Sequence, residues 1–177
     1  MKTLLSFFPL RLVLLFAFLG VAHAYAGITS PRVLAAIITH TPAPEIVPAG
    51  MPMKIAEHVA EQRNASVLWG TGDSMLPLYA RGTALIVEPY DYEKLKKGMT
   101  VVYVNRAGRR VAHCVVGETR GGYLLQGVNN PEEDVELLTE DNFLGVVVAA
   151  YGSTGTDFRA ATLAKLSSKS RDLVAQR

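Results

Sequence analysis

Cysteine is almost missing from this chain. Among 177 residues there is one, Cys114, which excludes an intrachain disulfide framework and a thiolate-rich zinc site. Histidine is scarce as well. The four histidines, at 23, 40, 58 and 113, stand at no spacing that would hold a metal, so no metal and no other cofactor is expected. An excess of one charge is lacking too: 18 Lys and Arg against 16 Asp and Glu leave +2, too little to argue for a nucleic-acid partner. Lysine is absent between Lys97 and Lys165. No internal repeat or low-complexity tract is evident.

What the chain does have is apolar residues, 49% of the total, enough for one domain with a sizeable core. Residues 1–24 read as a targeting segment. Lys2 and Arg11 precede the apolar run Leu12 to Val21, and Ala22-His23-Ala24 has the small-residue pattern of a cleavage site. An uncleaved anchor is the competing reading, giving membrane association through residues 4–24. It would place Arg11 in the middle of the span, at a cost of about 2.5–3.5 kcal/mol. Either way the remainder is expected outside the cytoplasm. Residues 25–51, with Pro31, Pro42, Pro44 and Pro48, read as a proline-rich arm or linker.

Pro52 is expected to open a short helix over Met53 to Arg63, with Ile55, Ala56 and Val59 as its apolar stripe. From Ser66 the pattern changes to strands: 66–69, 83–87, 100–104, 110–116, 123–126 and 145–151, separated by turn residues such as Asn105-Arg106-Ala107-Gly108. Strands this short and evenly spaced predict a mainly β fold, a coiled antiparallel sheet or small barrel, over residues 52–152. Residues 153–177 read as a polar helical tail.

Within this frame, Gly72-Asp73-Ser74-Met75-Leu76-Pro77 sets a serine between turn formers and a proline. Pro77 drives Leu76 toward extended backbone. Met75 can pack inward and turn the Ser74 hydroxyl outward. The segment reads either as a nucleophile loop or as a plain turn, because a serine hydroxyl is inert without a base. His113, thirty-nine residues on, lies on the strand returning from a hairpin. It reads as that base, or as a half-buried strand histidine. An acidic cluster follows, Glu132-Glu133-Asp134-Val135-Glu136, which by itself reads as a solvated loop.

Taken together and in order, these blocks resemble the signal peptidase and LexA-type peptidase superfamily over roughly residues 66–151. The serine box is similar to its nucleophile segment. Tyr79 to Val87 and Leu95 to Tyr103 look like the two blocks that follow, although the usual Gly-Asp is Gly82-Thr83 in one and Gly98-Met99 in the other. Most bacterial members carry a base lysine where this chain has His113. Ala112-His113-Cys114-Val115 resembles instead the Val-His-Arg-Val strand of the endoplasmic-reticulum type, with Cys114 in place of arginine. Gly127-Val128-Asn129-Asn130 is similar to that branch's Gly-Asp-Asn-Asn, with Val128 in place of the first aspartate.

The resemblance implies a fold of the LexA and signal-peptidase type and a Ser74–His113–Asp134 site. Glu132 and Glu133 are the fallbacks for the acid. It also implies a protein or peptide substrate bound as an added strand near Gly72, Asp73, Met75 and Tyr103. Trp69, Leu85 and Tyr103 read either as pocket walls or, preferably, as core. Imidazole, unlike a lysine amine, accepts a proton near neutral pH without strong desolvation. The expected activity is a serine endopeptidase acting on exported proteins. The alternative is an inactive β-domain serving as an envelope binding module. A self-cleaving regulator fits less well, since no helix-turn-helix is evident.

Overall fold

The computed structural model describes residues 27–153, Thr29 excepted. The expected signal segment or anchor at 1–24, with its membrane association, lies outside the described residues, as does the expected helical tail apart from Ser153. Among the described residues no helix is long and apolar enough to cross a membrane.

The protein is mainly β. Helix α1 (Pro31–His40) and the two-residue strand β1 (Glu45–Ile46) precede helix α2 (Pro52–Arg63). Strands β2 (Ser66–Trp69), β3 (Ala84–Glu88), β4 (Thr100–Val104), β5 (Arg110–Thr119), β6 (Gly122–Gln126) and β7 (Phe143–Gly152) follow. They form one seven-stranded sheet in the order β2-β3-β7-β4-β5-β6, antiparallel throughout, with β1 added parallel to β7. The sheet does not close, so the barrel alternative is corrected to an open sheet. Register shifts at Ile86/Val87, Val102/Tyr103 and Val115/Gly117 interrupt the ladders. Such bulges bend and twist the strands that carry them.

Apolar side chains leave both faces of the sheet, which is why its central strands read as continuous apolar runs. On one face, Leu85, Val87, Val102, Cys114 and Val147 pack with Met75, Leu78 and Tyr79. On the other, Val101, Tyr103, Val115 and Leu125 pack with Leu95 and Leu138. Ala84 and Ile86 meet α2. That helix turns Pro52, Ala56 and Ala60 inward. The expected stripe holds at Ala56 and at half-buried Val59, which packs against the same cluster, and is corrected at Ile55, which does not.

The larger correction concerns the arm expected over residues 25–51, whose described part, from Gly27 on, packs on the sheet. Pro31 sits in the first turn of α1, and Val33, Leu34 and Ile37 are buried in the main core. The prolines mark helix entry and extended backbone around β1 rather than a linker. Thr41 then fastens the helix end to the sheet, donating from its hydroxyl to the Gly98 carbonyl at 2.6 Å.

Candidate active site

The serine box occupies the loop between β2 and β3. Its base is closed by two backbone bonds, Gly70 N–H to the Thr83 carbonyl at 2.9 Å and Gly82 N–H to the Gly70 carbonyl at 2.8 Å. Met75, Leu78 and Tyr79 are buried in the main core, so the loop is held from beneath and Ser74 is left at the surface of the cleft. From outside, the Arg81 guanidinium grips Asp73 with two bonds of 2.8 Å and also donates to the Thr71 carbonyl. That grip holds the Asp73 carboxyl below its usual range. Asp73, expected near the substrate, braces the loop through this pair.

A second loop, between β6 and β7, clamps the first. Asn129 donates its backbone N–H to the Ser74 carbonyl at 2.7 Å and its side-chain amide to the Asp73 carbonyl at 3.1 Å. Only glycine fits at Gly127, where a Cβ would stand 2.7 Å from the Ser74 oxygen. Val128, at the place of the family's first aspartate, is buried with Ile28 in the core. Among the described residues the Ser74 backbone N–H has no acceptor. It remains on offer to an oxyanion.

β5 carries His113 to this point, buried to 6% exposure. Its Nε2 lies 3.0 Å from the Ser74 hydroxyl and its Nδ1 lies 2.6 Å from Asp134 Oδ2. An ionised carboxylate only accepts, so Nδ1 carries the hydrogen and Nε2 offers its lone pair to the serine O–H. Asp134 is set by its own backbone, whose N–H donates to the Leu125 carbonyl at 2.7 Å. The two fallback acids, Glu132 and Glu133, are exposed and take no part. The structure therefore brings Ser74, His113 and Asp134 into one hydrogen-bonded chain.

Tyr103 is a further member that its sequence position did not disclose. Its hydroxyl donates to the same Asp134 oxygen at 2.8 Å, and its ring lies 6.4 Å from the His113 ring. Burial first, then the carboxylate it serves, push its phenol pKa well up. Tyr103 does not border the cleft. Its expected substrate contact is corrected, because the β4 pleat turns the side chain behind the histidine. Tyr103→Phe is expected to lower kcat about tenfold with KM unchanged, since a hydrogen bond to a charged group is worth about 1.5–3 kcal/mol. Steady-state kinetics alongside a thermal melt would separate this effect from lost stability.

Beside Ser74 runs a cleft of about 260 Å³. Gly72, Met75, Leu85 and Trp69 border it. Leu85 does so from within the core, whereas Trp69 is 40% exposed, which corrects its reading as core. Cys114, next along β5, faces the opposite side, where burial pushes its thiol pKa up to about 12. It is an inert packing residue there. Among the described residues no cluster of His, Cys, Asp or Glu could hold a metal ion.

Compared with known proteins, the chain matches no family model and no curated protein.

Proposed function

We propose that the protein is a serine endopeptidase of signal-peptidase type, working outside the cytoplasm on exported proteins or peptides. The observation that carries this reading is the unbroken chain from the Ser74 hydroxyl through both nitrogens of His113 to Asp134. In the proposed mechanism His113 Nε2 takes the Ser74 proton as Oγ attacks a peptide carbonyl. The oxyanion is met by the Ser74 N–H. The imidazolium, balanced by Asp134, returns the proton to the leaving amine as the C–N bond breaks. Water then enters by the same route in reverse and releases the acyl group.

The fold of LexA and signal-peptidase type belongs to the same proposal. The departures from that pattern are compatible with it. Gly82 and Gly98 keep the positive φ of +81° and +90° that favours glycine. Thr83 and Val128, two of the residues that differ, are buried, and Thr83 borders the cleft.

A fluorophosphonate probe tests the activity directly. Wild-type protein is expected to be labelled, Ser74→Ala not at all, and His113→Ala at a rate lower by a factor on the order of 10³ or more. Absence of labelling in the folded wild type would leave the envelope binding module as the better reading.

A further inference from the structure

Among the described residues, the cleft beside Ser74 carries charge of one sign only: Arg109 and Arg110 border it, and no carboxylate does. Both arginines are exposed. Among the described residues neither guanidinium has an ion-pair partner, whereas nearby Arg81 is committed to Asp73. The rest of the lining is mostly apolar or small: Leu68, Met75, Leu85, Val111 and Ala112 among others.

Two strand edges flank this cleft. Among the described residues, β2 pairs with β3 on one side and has no strand on the other. β5 pairs with β4 from Arg110 to Cys114, but β6 joins its far side only from Cys114 onward. From Arg110 to His113 that far edge therefore pairs with no other described strand. An extended peptide that adds to such an edge takes main-chain bonds from it and presents alternate side chains to the pocket. Arg110 and Arg109 stand three and four residues before His113, about 10–13 Å away at roughly 3.3 Å per residue. A peptide in register with His113 at the bond to be cut thus lays its third or fourth residue beside the two guanidinium groups. Guanidinium forks match a carboxylate with paired hydrogen bonds.

We propose that Arg109 and Arg110 form a subsite for an acidic side chain, and that the cleft takes extended peptides with Asp or Glu three to four residues from the scissile bond. The cut itself rests on the peptidase reading; the binding preference does not.

Three fluorescein-labelled peptides of alanine, serine and valine, identical except for one Asp, Asn or Lys, test it. With the full-length Ser74→Ala protein at low salt, anisotropy is expected to give about tenfold tighter binding of the Asp peptide than of the Asn peptide, and weaker binding still of the Lys peptide. The preference should shrink as salt is raised. It should vanish in Arg109→Gln/Arg110→Gln and turn toward Lys in Arg109→Glu/Arg110→Glu. Wild-type enzyme should rank the peptides in the same order by kcat/KM. Mass spectrometry should place the cut three to four residues from the Asp.

Equal binding of all three peptides, no binding of any, or a preference that survives both double variants overturns the subsite. Charge-selective binding with neither cleavage nor probe labelling supports the subsite and removes the peptidase reading. Labelling and cleavage that ignore charge do the opposite.

Discussion

Asp134→Ala is expected to lower kcat for peptide hydrolysis by about 10³–10⁴-fold while the fold persists. The carboxylate has two tasks in the proposed mechanism. It fixes the imidazole so that Nε2 faces Ser74, and it balances the charge that His113 gains when it takes the serine proton. Alanine removes both. Asp134→Asn should cost about as much as alanine, because an amide N–H turned toward Nδ1 holds the imidazole in the wrong tautomer, with Nε2 protonated toward Ser74. Glu132→Gln and Glu133→Gln, at exposed positions outside the chain of bonds, should leave kcat within about twofold of wild type, since surface changes of this kind have small effects. A loss in either glutamine variant as large as that in Asp134→Ala would mean that the acid has been assigned to the wrong residue. Single-turnover kinetics on a common peptide would rank all four variants.

The second large effect falls on stability. Gly98→Ala is expected to destabilise the domain by at least about 3 kcal/mol. Two penalties coincide there. The backbone φ of +90° is one that side chains with a Cβ rarely adopt, and a Cβ would run into the backbone of Ala36 in α1. Helix and sheet would have to part, exposing Val33, Leu34 and Ile37. Gly108→Ala is the control. Its φ of +72° carries the same kind of strain, but the added Cβ meets nothing within 4 Å, so about 1 kcal/mol is expected. Urea unfolding of both variants isolates the contact between α1 and the sheet. Equal losses would mean that α1 contributes little to the stability of the domain.

The strands were legible because their composition leaves little choice. Thr100-Val101-Val102-Tyr103-Val104 is β-branched and aromatic throughout, and it forms β4 with those bounds. Ser74 and His113 were legible as a pair because a serine loop and a hairpin histidine recur together in a known order. The acid was harder. Four carboxylates in five residues look alike in sequence, and what singles out Asp134 is a backbone bond to Leu125 on a neighbouring strand. Tyr103 reads as an ordinary strand aromatic until its hydroxyl is seen on Asp134. Residues 31–40 read as an arm by proline count, whereas the spacing of Val33, Leu34 and Ile37 fits the helix that forms.

The residue order alone determined the mainly β character, the strand positions, the candidate nucleophile and its candidate base, and the exclusion of an intrachain disulfide framework. These depend on local stereochemistry and composition, which a linear string carries in full. The tertiary structure alone decided that the sheet stays open, that α1 belongs to the core, which of several acids faces His113, and that two arginines with no ion-pair partner among the described residues border the cleft. Each of those is a contact between segments distant in the chain. Such contacts are selected by packing and hydrogen-bond satisfaction across the whole fold, and no local preference encodes them.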